Sequence, residues 1–130
     1  MDTIGNFLTL IRNACNVKHY NVKVNYSNIN YNITKILYNN NYIKKYEIYN
    51  IKNNVKKKII IYLKYINNYS VIRKIKRVSK PSLRKYLKYK NIYNILNGYG
   101  ISILSTSNGI MTGYEAKKKK IGGEILCIIY

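Results

Sequence analysis

Acidic side chains are nearly missing. The 130-residue chain has four of them (Asp2, Glu47, Glu115 and Glu124) against 24 Lys and Arg, for a formal net charge of +20. A carboxylate pair for acid–base chemistry would have to come from those four scattered positions. His19 is the only histidine and has no motif-placed Cys or carboxylate partner. No HExxH, P-loop or GxGxxG fingerprint occurs, and a hydroxyl nucleophile would lack an evident base. The sequence therefore argues against an enzyme, a metal site, a cofactor and a small-molecule substrate. Cys15 and Cys127 are too few and too far apart for a zinc module or a disulfide framework. They read as small buried apolar residues of a reducing compartment. The longest apolar run, Ile125 to Tyr130, falls far short of the roughly 20 residues that cross a bilayer. Asp2 and Asn6 stand where a signal sequence would carry basic and apolar residues. No membrane partner is expected.

What is plentiful is mostly bias. Asn, Ile, Lys and Tyr supply 20, 23, 20 and 16 residues, whereas Trp and Gln are absent and Pro81 is the only proline. The abundant types share A- and U-rich codons, which points to an AT-rich genome of a bacterium, endosymbiont or organelle. Single Lys, Asn and Tyr residues are weak signals here, and Gly, Ser, Thr, Arg, Pro and Glu carry more weight. The charge is not a tail: residues 1–70 hold 11 bases and 2 acids, and residues 71–130 hold 13 and 2. At least two faces must be positive, as in a protein lying along or embedded in nucleic acid.

The apolar spacing predicts an α+β protein of two small lobes, 1–67 and 68–130. Ile4, Phe7, Leu8, Ile11, Ala14 and Cys15 recur at three and four residues, which gives one face of a helix capped by Asp2. Tyr20, Val22 and Val24 alternate as a strand. Ser27 caps a second helix that turns Ile29, Ile33, Ile36 and Leu37 inward. Strands follow near Tyr42–Tyr49 and Lys58–Tyr65, joined by an Asn53-Asn54 turn. Asn67-Asn68 is the expected join between lobes. The second lobe reads as a strand over Val71–Val78 showing Arg73, Lys74, Lys76 and Arg77, then a break at Pro81. A short helix over Asn91–Asn97 stops at Gly98. A strand to Leu104, a basic helix near Thr112–Lys119 and a strand over Glu124–Tyr130 complete a mostly β lobe.

Three constellations stand out. An apolar strand runs into Ser105-Thr106-Ser107-Asn108-Gly109. Each hydroxyl both donates and accepts, and such a surface suits the 2′-hydroxyls and base edges of a shallow RNA minor groove. The competing reading is an ordinary polar turn. Nearby, Gly122-Gly123 permits unusual backbone angles and close approach of another chain, and Glu124 orients a hydroxyl or lysine, accepts a hydrogen bond from a base amino group, or forms a plain surface ion pair. The second constellation is Ser79-Lys80-Pro81-Ser82 with Arg84 and Tyr86. Pro81 stiffens a turn, Arg84 is a planar fork kept among lysines, and Tyr86 serves either stacking or core filling. The third is the side of the first helix bearing Thr3, Arg12 and Asn13. The runs Lys56–Lys58 and Lys117–Lys120 are solvated faces that would add phosphate attraction without sequence choice.

Three blocks together resemble the S-eight family of small-ribosomal-subunit proteins. They are Asp2 to Ala14 with Ile11-Arg12-Asn13-Ala14, then Ser79-Lys80-Pro81 with Arg84 and Tyr86, and then Gly98-Tyr99-Gly100-Ile101 through Ser105–Thr112 to Gly122-Gly123-Glu124 and the last strand. The resemblance spans essentially the whole chain. It implies a non-catalytic constituent of the small subunit that binds 16S-type ribosomal RNA directly in its central domain and helps assemble the subunit platform. Translational repression through a messenger RNA mimic of that site is the alternative. By matching positions, the resemblance assigns RNA contact to Ser105, Thr106, Ser107, Gly122, Gly123, Glu124, Lys80, Arg84, Tyr86, Thr3 and Arg12. It names S-five, S-twelve and S-seventeen as neighbours, in a cytoplasmic or organellar ribosome. Ser82 departs from a usual glycine, and Tyr130 from a usual tryptophan. A basic peripheral membrane protein is the remaining class, but the long amphipathic basic helix it needs is missing.

Overall fold

A computed structural model describes residues 3–50, 56–95 and 98–130. The expected Asp2 cap and the Asn53-Asn54 turn lie outside these residues. Two compact units divide between Ile72 and Arg73, each with helices laid on an antiparallel sheet. The fold is α+β, as the spacing predicts.

In the first unit α1 (Thr3–Asn16) buries the six residues that the three- and four-residue spacing selects. It packs on β1 (Asn21–Asn25). The next helix, α2 (Asn28–Asn39), starts at Ser27, whose hydroxyl accepts from Asn30 N at 3.1 Å. Ile33, Ile36 and Leu37 are buried as expected, but Ile29 is not: it lies exposed in the first turn. Asn30 is buried in its place, donating from Nδ2 to Asn25 O at 3.0 Å. Thr34 Oγ1 in turn donates to Asn30 O at 2.7 Å. Local hydrogen bonding to the end of β1 outweighs the larger apolar side chain here, which no spacing rule reveals. With β2 (Ile43–Asn50) and β3 (Lys57–Leu63), the sheet order is β1-β3-β2. Val24, Ile59 and Ile61 of the sheet and Phe7, Leu8, Ile11, Ile33 and Leu37 of the helices are all buried.

Tyrosine in this unit is spent on the rim. Tyr46 of β2 meets Tyr31 and Tyr38 of α2 edge-on at 6.1 and 5.6 Å, and Lys45 Nζ lies 4.5 Å from the Tyr62 ring centroid. Asn67 and Asn68 both adopt left-handed backbone (φ 53° and 67°) as the turn between β4 (Tyr65–Ile66) and β5 (Tyr69–Ser70). Asparagine tolerates that region better than most residues.

The second unit holds β6 (Ile75–Arg77), β7 (Tyr86–Leu87), β8 (Ile101–Thr106), β9 (Gly109–Thr112) and β10 (Gly123–Ile129). The order is β6-β10-β8-β9, and β7 also pairs β10. Two expectations need correction. The strand expected over Val71–Val78 is regular only over Ile75–Arg77, because Arg73 N and Lys74 N both donate to Tyr130 O at 2.7 Å instead of continuing a ladder. Of the helix expected over Asn91–Asn97, the described residues keep only Asn91 as the end of a 3₁₀ turn, Tyr89–Asn91, and residues 92–95 are not helical. Leu96 and Asn97 lie outside the described residues. The basic helix is α3 (Gly113–Lys118), capped by Thr112, whose Oγ1 accepts from Glu115 N at 3.2 Å. Ile92, Leu104, Met111, Ala116 and Ile125 form the core beneath it.

Candidate nucleic-acid interface

The hydroxyl run is not one loop. Ser105 and Thr106 end β8, Gly109 opens β9, and only Ser107 and Asn108 form the turn. Neither of these two has a positive φ, whereas Gly109 sits at +106°. The register runs without a shift up to the Thr106–Gly109 pair, so the connection is a two-residue hairpin turn, and the glycine takes the left-handed backbone that closes it. Thr106 holds the turn shut. Its Oγ1 donates to Gly109 O at 2.7 Å and accepts from Asn108 N at 3.2 Å. Ser105 and Ser107 have no side-chain partner among the described residues. The three hydroxyls therefore divide into one that builds the turn and two without a side-chain partner among the described residues.

β10 brings distant segments to that hairpin. Glu124 pairs with Tyr86 on one side and with Ser105 on the other; Gly123 likewise lies between Leu87 and Thr106. Directly paired residues share a face, so Tyr86, Glu124 and Ser105 make one row. Arg84 joins it through an ion pair to Glu124 at 3.0 Å. The Glu124 side chain is 14% exposed and that of Arg84 47%, so the carboxylate is the anchored partner and the guanidinium the presented one. Tyr86 is 70% exposed, which excludes the core-filling role.

The paired glycines serve strand approach. Neither has a positive φ. A Cβ on Gly122 would stand 2.5 Å from Leu87 O, and one on Gly123 would collide with Ser105 O. Any larger residue would push β7 or β8 off β10.

A buried serine shapes the Pro81 turn. Ser79 is fully buried, and its Oγ accepts from Lys85 N at 2.9 Å and donates to Lys85 O at 3.2 Å. Arg77 Nε donates to Ser79 O. Between them Lys80 and Leu83 exchange both backbone hydrogen bonds at 3.0 Å. Ser82 fits this turn without a positive φ, so the usual glycine is not required for its backbone. Ser79→Ala would remove both hydrogen bonds that the buried hydroxyl makes to the Lys85 backbone, a loss of about 1 kcal/mol for each. Thermal unfolding should show it, and an unchanged midpoint would mean another acceptor replaces Oγ. The sequence block includes Ser79 but assigns it no role; a serine kept where drift favours asparagine was the signal.

Lys80 lies on the turn, beside a groove with Lys76 and Lys85. Thr3 and Arg12 belong to the other unit, exposed and half-buried on α1. Lys117 Nζ is tied to Ile92 O at 3.2 Å, while Lys118, Lys119 and Lys120 are exposed. Neither thiol is poised to react. Burial pushes Cys127 up to about 12 despite the opposing charge of Arg77, and burial also raises Cys15 against a lowering hydrogen bond from Ser70. Among the described residues no cluster of His, Cys, Asp or Glu could hold a metal ion, and no helix is long and apolar enough to cross a membrane.

The model of the family described as "Ribosomal protein S8" matches residues 2–130. The chain belongs to the ribosomal protein S8 family. It is 48% identical over 129 residues to the small ribosomal subunit protein uS8 of Azobacteroides pseudotrichonymphae, covering 99% of this chain and 98% of that one. The uS8 proteins of Parabacteroides distasonis (46% over 131 residues, 99% and 98% covered) and Cytophaga hutchinsonii (47% over 132 residues, all of both chains) are similarly close. A member of the S8 family is a structural component of a bacterial-type ribosome, not an enzyme.

Proposed function

We propose that this chain binds small-subunit ribosomal RNA directly, in the central domain, and helps assemble the subunit platform beside S-five, S-twelve and S-seventeen. The second lobe, 68–130, reads the RNA, and the first lobe, 1–67, adds contacts from Thr3 and Arg12 on α1. One observation carries this reading. Ser105 and Ser107 carry uncharged hydroxyls without side-chain partners among the described residues, and Ser105 lies in one row with an exposed aromatic ring and the Glu124 that holds the Arg84 guanidinium. Hydroxyls can meet ribose 2′-OH groups and base edges, Tyr86 can stack, and Arg84 can fork onto a phosphate. The surrounding lysines supply attraction, and this surface supplies choice.

Paired substitutions separate the two roles. Ser107→Ala should weaken binding to the central-domain RNA helix by about 1 kcal/mol, one lost hydrogen bond, with the salt slope unchanged. Lys118→Ala should lower that slope by up to about one unit and weaken all RNAs alike. Filter or fluorescence titrations between about 50 and 200 mM salt read both quantities. Equal losses for Ser107→Ala on an unrelated helix would remove the basis of the reading.

A further inference from the structure

The side of the second unit's sheet away from the Tyr86–Glu124–Ser105 row carries a separate cationic feature. Ser102 and Ser105 lie three residues apart on β8, so their side chains leave the sheet on opposite sides. Ser102 pairs with Ile128, and Ile128 pairs with Lys76. Lys76 therefore projects away from the hydroxyl side. There Lys76, Lys80, Lys85 and Tyr93 line a groove with Val78, Leu83 and Ile128, and Arg77 closes it at the β6 edge of the sheet.

The groove's charge is unbalanced. Glu124 is engaged with Arg84, and Glu115 sits in the first turn of α3. The three lysines have no carboxylate partner among the described residues. Crowded like charges repel one another in the free protein, and a bound polyanion would relieve that repulsion. Tyr93, 50% exposed beside them, adds a flat ring above apolar side chains. An acidic peptide would satisfy the lysines but leave the ring unused. A nucleic-acid strand uses both, with phosphates on the ammonium groups and an unpaired base on the ring.

We propose that this groove binds a second, single-stranded RNA segment, so that the second lobe joins two RNA elements through opposite sides of one sheet. The inference rests on the RNA-binding reading above for the first element only. The test saturates the full chain with the central-domain helix and then titrates a fluorescent oligouridylate of about ten nucleotides, within the usual span of single-strand sites. The oligonucleotide should bind the saturated complex. Lys76→Ala combined with Lys85→Ala should weaken it at least tenfold and lower its salt slope by about 1.4, from roughly 0.7 per phosphate. Tyr93→Leu should weaken it about tenfold, within the range for one lost base stack. Tyr93→Leu should leave helix affinity within twofold, the double variant should keep its preference for the central-domain helix over an unrelated one, and an unchanged melting midpoint serves as the check on folding. If the double variant does not fold, Tyr93→Leu carries the test. Exclusion of oligouridylate by the helix, indifference to these substitutions, or equal displacement by polyglutamate would overturn the proposal. If helix selectivity fails while oligouridylate still depends on Lys76, Lys85 and Tyr93, the hydroxyl reading falls and the groove stands.

Discussion

Replacing Gly123 with alanine is expected to destabilise the second unit by about 1–3 kcal/mol, the usual cost of forcing a methyl group into filled space. The added carbon would collide with Ser105 O and stand 3.0 Å from Thr106 Cγ2, so β8 must move relative to β10. At this chain length each kcal/mol lowers the melting midpoint by roughly 4 °C. RNA affinity should fall further than stability alone explains, because the same shift separates Ser105 from its partner Glu124 and disturbs the row that presents Arg84. Thermal melting and helix titration on one preparation test both parts. A variant that melts normally and binds normally would show that the two strands tolerate a wider spacing, and that Gly123 is not needed for the site.

The second large effect is on selectivity. Ser105→Ala with Ser107→Ala should reduce affinity for the central-domain helix by about 2 kcal/mol, two hydrogen bonds of roughly 1 kcal/mol each, or about thirtyfold. Adding Thr106→Ala should cost more than another single hydrogen bond. The Thr106 hydroxyl bonds Gly109 O and Asn108 N at the exposed turn, so its removal loosens the turn that places Ser107. Coupled positions of this kind depart from additivity. Titration of the double and triple variants against the cognate helix and an unrelated helix measures this. If the triple variant keeps its preference for the cognate helix, discrimination resides elsewhere and lysine attraction does not explain it.

Legibility varied along the chain for physical reasons. The α1 face could be read to the residue, because burial against a sheet imposes a period that codon drift among polar residues leaves intact. The cap at Ser27 follows an equally local rule, whereas Thr112, expected inside the basic helix, caps it instead. Reading failed where tertiary partners decide. Ile29 was expected inward, but Asn30 takes the buried place by bonding to Asn25 O. The Val71–Val78 strand was shortened by the carbonyl of Tyr130. Of the expected Asn91–Asn97 helix, the described residues keep only Asn91, as the end of a 3₁₀ turn at Tyr89–Asn91. An Asn- and Ile-rich stretch carries a helical period without a cap to start it.

The site was half legible. The run of hydroxyls, the glycine pair and the lone arginine among lysines are visible as residues that resist the compositional bias, and their order along the chain carries the family resemblance. Nothing local divides the hydroxyls between building and reading, sets Tyr86 across from Glu124, or places Lys76 on the other side of the sheet. By itself the sequence determines a basic, non-catalytic α+β chain with amphipathic helices, since charge, periodicity and capping are short-range properties. Tertiary structure decides which hydroxyl is consumed, which tyrosine is exposed and which carboxylate holds Arg84. Those outcomes depend on strand pairing between segments up to about forty residues apart, and the register of that pairing is a property of the folded sheet.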